Sequence, residues 1–162
     1  MITHVAIDPG ANGGIAWRSQ IGNSQPMTEV SKMPDTPMDI WIALNRIISN
    51  EVSPFNKPTI HIENVGGYMP GNSGPASVKF ARHIGNLEMA VIAAGLPLER
   101  ITPRKWMTAF LGTVPKEKRD RKRAIKVRAQ ERYPGIKVTL WNADALGMLW
   151  VVTHNDGYVK GV

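Results

Sequence analysis

The run His4-Val5-Ala6-Ile7-Asp8-Pro9-Gly10 sets the fold class. Ile2 to Ile7 reads as a short apolar strand that Asp8 closes, and Pro9-Gly10-Ala11-Asn12-Gly13-Gly14 is a turn signal. Ile15-Ala16-Trp17 resumes an extended segment, which predicts a β-hairpin. A second buried-looking strand, Thr59 to Ile62, ends in the same way on an acid, Glu63. A third acid, Asp144, opens the apolar stretch Asn142-Ala143-Asp144-Ala145-Leu146-Gly147. Two carboxylates at strand ends and one on a late helix meet only if the fold brings them together. In a chain without cysteine, such a cluster is a site for a hard divalent cation held by oxygen.

Outward from these three points the chain alternates between strand and helix signals. A polar third strand is expected near Met27 to Met33. Thr36-Pro37-Met38-Asp39 is a helix start: Thr as N-cap, Pro at the first position, and an acid where a capping box wants one. Ile40, Leu44, Ile47 and Ile48 follow at helical spacing. Val65 to Pro75 is rich in glycine and reads as a loop, either a mobile substrate-binding element or an ordinary connection. Val78, Ala81, Ile84, Leu87 and Val91 form a helical stripe that Gly95 and Pro97 end. Leu98 to Thr102 is a fifth strand and Pro103 to Phe110 a short helix. Further helices are expected from about Arg121 to Tyr133 and from about Asn142 to His154. Strands, helix, strand, helix, strand, helices suit an α/β fold, a mixed sheet with helices on its faces. With no repeat and no dividing linker, residues 1–162 read as a single domain.

Composition narrows the function. Hydrophobic content of 43% with 20% charged residues fits a globular chain. No apolar run approaches the ~18 residues that span a bilayer, so no membrane partner is expected. The N-terminus enters a strand with no basic n-region or cleavage site, and a cytoplasmic protein is the expectation. The net charge of +7 is concentrated. From Lys116 to Arg132 nine Lys or Arg stand against three acids, a local +6. A basic block on a near-neutral body reads as a phosphate-binding surface, the alternative being a solvated helix face that aids solubility. The substrate of the cation site is then a phosphodiester. Mg²⁺ held by carboxylates and phosphate oxygens, with Mn²⁺ as a substitute, activates water and stabilises a leaving oxygen.

The segments Ile7-Asp8-Pro9-Gly10, Ile62-Glu63-Asn64-Val65 and Ala143-Asp144-Ala145-Leu146, in this order and spacing, resemble the RuvC-like Holliday junction resolvases of the ribonuclease H-like superfamily. Gly85-Asn86-Leu87 through Ala94-Gly95 to Ile101-Thr102-Pro103-Arg104-Lys105-Trp106 resembles the compact, phage-type members. The resemblance covers nearly the whole chain. It implies a ribonuclease H-like fold, a five-stranded mixed sheet flanked by helices. It implies a homodimer that nicks two opposed strands of a four-way junction with Mg²⁺, its site in a bacterial or phage-infected cytoplasm. It further implies that Asp8, Glu63 and Asp144 bind metal and that Lys122 stands near the scissile phosphate. Two positions depart from the family. The usual fourth ligand, three residues before Asp144, is Trp141, and the aromatic wedge three residues after Glu63 is Gly66. Tyr68 is the nearest aromatic and could stack on an exposed base.

Arg104 and Lys105, just after the fifth strand, are candidate DNA contacts, as are Lys116, Lys118, Arg119, Arg121 and Arg123 of the basic block. His4, His61, His83 and His154 lack metal-ligand spacing and read as structural or exposed. Trp41, Trp106 and Trp150 read as packing residues. Two rival functions stand beside the nuclease. One is a degenerate, non-cleaving binder of DNA structure, suggested by Trp141. The other is an actin-like phosphate-binding ATPase, suggested by Asp8-Pro9-Gly10 followed by Asn12-Gly13-Gly14, although that fold needs two such domains.

Overall fold

The computed structural model describes residues 2–20, 23–49, 57–66, 71 and 73–154. Its strands are β1 (Ile2–Asp8), β2 (Gly14–Ser19), β3 (Met27–Lys32), β4 (Thr59–Glu63) and β5 (Leu98–Ile101). Its helices are α1 (Pro37–Ser49), α2 (Gly74–Ala93), α3 (Pro103–Leu111), α4 (Lys118–Arg132) and α5 (Ala143–His154). The sheet order is β3-β2-β1-β4-β5. β1 to β3 form an antiparallel meander, and β4 and β5 join parallel to β1. This is the five-stranded mixed sheet with flanking helices that the sequence predicts.

Alternation along the strands sorts the core into two layers. Val5, Ile7, Ile15, Ile60 and Ile62 point to one face, where Ile40 and Leu44 of α1 and Leu87 and Val91 of α2 cover them. Ala6, Ala16 and Ile101 point to the other, under α3, α4 and α5. The two alanines let α5 lie close across β1 and β2, and nearly every α5 side chain is buried. α5 is apolar all round because it is enclosed all round.

Thr36 opens α1 as expected: Asp39 N–H donates to Thr36 Oγ1 (3.1 Å), and the hydroxyl donates back to Asp39 Oδ2 (2.7 Å). Two boundaries and one helix face differ from expectation. α2 begins at Gly74, inside the stretch read as a loop, because Ser73 caps it and Pro75 suits its first turn. α4 begins three residues before Arg121, at Lys118. The α2 stripe is only half a core face, since Leu87 and Val91 are buried while Val78 is 62% exposed. No described helix is long and apolar enough to cross a membrane.

Candidate active site

The register of the parallel pair β1–β4 sets Ala6 beside His61 and Ile7 beside Ile62. One step further, at the carboxyl ends, Asp8 and Glu63 follow. By alternation both share the face of Ala6, beneath α5. Asp144 sits in the first turn of α5, and α5 packs on β1 and β2. The fold thus brings together the three acids that lie far apart in sequence.

Their electrostatics agree. Burial lifts the Asp8 carboxyl well above the usual carboxylate range; the charges of Asp144 and Glu63 add to the lift, and Lys122 opposes it. Burial raises Glu63 too, with Asp144 adding to the effect, against a hydrogen bond from Trp106 and the charge of Lys122. Glu63 is 8% exposed, and its Oε1 accepts from the Trp106 indole N–H at 2.7 Å. Asp144 is 6% exposed; its Oδ2 accepts from Lys122 Nζ, while its Oδ1 is buried with no hydrogen-bond partner. Burial alone would lower the pKa of Lys122, but Asp144, Asp8 and Glu63 together hold it above the ordinary lysine value. Lys122 reaches the acids because it shares with Ile125 and Ala129 the inward stripe of α4, at spacings of three and four.

The donor set fits a hard divalent cation in kind: three oxygen ligands that repel one another, one of them with an orphaned buried oxygen. The spacing is not that of a closed coordination shell. Among the described residues, no three of His, Cys, Asp and Glu stand at metal-binding distances from one another. Lys122, bonded to Asp144, offsets part of the charge of the acids.

Trp141, in the position where the resemblance sets a fourth ligand, packs against β2. A side chain at Gly14, the partner of Asp8 in the β1–β2 ladder, would lie 2.8 Å from the Trp141 ring. Asn142 is buried and faces away from the acids; its side chain accepts from Thr139 N–H (2.7 Å) and donates to Lys137 O (3.2 Å). Trp106, a packing residue by its sequence context, is also the hydrogen-bond donor to Glu63. The available signal was that a buried indole N–H needs an acceptor.

The proposed DNA contacts divide. Arg104, Lys105, Lys116, Lys118, Arg119 and Arg123 are exposed. Arg121 is half-buried and donates to Pro115 O (3.2 Å) and Lys116 O (3.0 Å), so its guanidinium braces the turn before α4. Tyr68 lies outside the described residues.

Comparison with known proteins finds likeness in structure only. No family profile matches the sequence, and no curated protein does. The RuvC structure of Thermus thermophilus matches with a TM-score of 0.59 at 16% identity, covering 94% of this chain and 96% of that one. The T. thermophilus RuvC in complex with a Holliday junction substrate matches with a TM-score of 0.58 at 16% identity, covering 95% and 97%. The fold is therefore RuvC-like and ribonuclease H-like over almost its full length.

Proposed function

We propose that this protein is a structure-selective DNA endonuclease that nicks opposed strands of four-way junctions and depends on Mg²⁺. The observation that carries the proposal is the meeting of Asp8, Glu63, Asp144 and Lys122 at the carboxyl ends of the central strands of a RuvC-like fold. One of the structural neighbours is a RuvC bound to a Holliday junction, which supports branched DNA as the substrate class. Asp8, Glu63 and Asp144 would hold the cation. A divalent ion there supplies Lewis-acid stabilisation of charge developing on phosphodiester oxygens. Trp106 fixes the Glu63 carboxylate in place through its indole hydrogen bond. The Lys122 ammonium, balanced against Asp144, offers a positive charge to the incoming phosphate. The exposed cations of the α4 block and of Arg104 and Lys105 would meet the backbone phosphates of the arms, giving strong salt dependence and little sequence information.

A homodimer supplies two active sites for two symmetric cuts. An exposed row on α2 supports it: Val78, Met89 and Ile92 stand 62%, 60% and 60% exposed with Gly85 between them, all within about 60° of arc on one face. Sedimentation of the protein with and without Met89→Glu tests that surface.

The reading as a whole is tested with labelled four-way junctions and matched linear duplex, in Mg²⁺ or EDTA. Paired symmetric nicks in the junction alone, lost in EDTA, are the expected result. The second reading, a junction binder that does not cut, is favoured by Trp141 at the ligand position and by Lys122 on Asp144. Tight junction binding with no cutting in Mg²⁺ or Mn²⁺ would select it.

A further inference from the structure

The far end of α5, ten residues and about 15 Å along the helix from Asp144, borders a cleft of about 370 Å³. It lies where the end of β2 and the start of β3 meet the carboxyl ends of α4 and α5. Arg18, Arg132, Tyr133, Trp150 and His154 line it, and among the described residues no acidic one does. Arg18 and Arg132 have no ion pair with any described carboxylate. Arg18 is half-buried and Arg132 exposed, and two guanidiniums on one cleft without a carboxylate among the described residues leave its charge out of balance.

Both are held in place by aromatic neighbours. The Arg132 guanidinium lies over the Trp150 ring, 4.7 Å from its centroid. The His154 ring stacks on the same indole at 5.1 Å and 11°. His154 Nδ1 stands 3.0 Å from Trp150 O, so Nδ1 carries the proton and donates there. That leaves Nε2 as an acceptor, and Arg18 Nη1 donates to it at 3.4 Å. A guanidinium has five N–H donors, and no other hydrogen bond joins Arg18 to a described residue. The carboxyl ends of α4 and α5 bring together about one negative charge in all, and the two guanidiniums exceed it by about one. The cleft therefore attracts an anion with several acceptor oxygens rather than a cation.

We propose that this cleft is a second binding site, for a phosphate group, in which Arg18 and Arg132 are the ligands and His154 and Trp150 position them. The phosphate belongs either to a nucleic-acid strand or to a free phosphoryl compound; the chemistry of recognition is the same. The site is independent of the carboxylate cluster and does not rest on the nuclease reading.

The test is a titration of the ¹⁵N-labelled protein in EDTA, following the arginine Nε–H and tryptophan indole signals, with two probes. Inorganic phosphate is expected to shift the Arg18, Arg132 and Trp150 signals saturably. Arg18→Gln and Arg132→Gln are each expected to weaken that binding about tenfold, the loss of one charge-assisted contact. A short single-stranded oligodeoxynucleotide that moves the same signals at lower concentration identifies a strand as the source. If it binds no tighter than phosphate, a free phosphoryl compound is the source. No saturable shift with either probe, or shifts that survive both substitutions, overturns the site. The wild-type titration alone decides the matter should a variant fail to fold.

Discussion

The two faces of the central sheet are built from the same strands to opposite rules. Toward α1 and α2 the central strands β1, β2 and β4 offer a hydrocarbon surface: Val5, Ile7, Ile15, Ile60 and Ile62. Toward α5 the same β1 and β4 carry His4, Ala6 and Asp8 beside His61 and Glu63. Each buried Ile adds roughly 1.5–3 kcal/mol of hydrophobic stabilisation. Each buried carboxylate or imidazole costs desolvation that its neighbours must offset. Both faces carry an apolar core, but only the one beneath α5 gives up part of that stability to keep charge in a confined place. Departures of this kind from the packing rules mark function.

The largest effect that could break this contrast comes from one substitution on each face. On the polar face, Asp8→Asn is expected to reduce junction cleavage to background while junction binding persists. It also removes one of three mutually repelling charges, so its melting temperature in EDTA should be at or above that of the wild type. On the apolar face, Ile62→Ala should cost about 2–5 kcal/mol, a fall of roughly 4–20 °C in melting temperature for a domain of this size. Its folded fraction should still cut. Surviving cleavage in Asp8→Asn would remove Asp8 from the site. An equal loss of stability in both variants would make Asp8 a packing residue and end the contrast.

A smaller effect sharpens it at Glu63. Trp106→Phe keeps most of the ring but deletes the indole donor, leaving Glu63 Oε1 buried without its partner at a cost of about 1–3 kcal/mol. Gly147→Ala should act on the same contact from the other side. A Cβ there would stand 2.8 Å from the Trp106 ring and 3.2 Å from Phe110, so the indole must shift. Thermal melts and junction nicking are expected to move together in both variants. A Gly147→Ala protein with wild-type nicking would show that the position of Trp106 is not what orders Glu63.

How much of this was legible in the sequence follows the same division. Hydrocarbon periodicity is local, so the apolar face, the Thr36 capping box and the strand ends at Asp8 and Glu63 could all be read directly. The start of α2 could not: its first turn, Gly74-Pro75-Ala76, is loop-like in composition, and the Ser73 cap decides it. The outward turn of Val78 was invisible because nothing in a helical stripe says how far the sheet beneath it extends. The meeting of the three acids was expected from strand ends and family resemblance, but Lys122 came from resemblance alone. Which of the many cations in the α4 block faces inward depends on α4 docking through Ile125 and Ala129. Arg121 and Lys122 are neighbours in sequence, yet one braces a turn and the other meets Asp144.

The smallest effect concerns the histidines, which share the polar face with the acids. His61 is 2% exposed, its Nε2 lies 3.0 Å from His4 Nδ1, and its Nδ1 stands 3.2 Å from Glu99 Oε2. Burial, helped by His4, pushes the His61 imidazole down to about 3, and burial lowers His4 as well. An unfolded histidine titrates near 6.5. Between those values the unfolded chain binds a proton that the folded protein refuses, so acidification through this window removes stability, at up to about 1.4 kcal/mol per pH unit for each such group. Asp8 and Glu63, whose pKa values are raised, act with the opposite sign: the folded state takes up protons before the unfolded chain does. Comparing variants separates the two contributions. Denaturant unfolding at pH 7, 6 and 5 should show the stability difference between wild type and His61→Gln narrowing as pH falls, because only the wild type loses the neutral imidazole's contribution. A difference that stays constant over that range would mean that His61 is already protonated in the fold and paired with Glu99, making the polar face a row of ion pairs rather than of buried neutral rings.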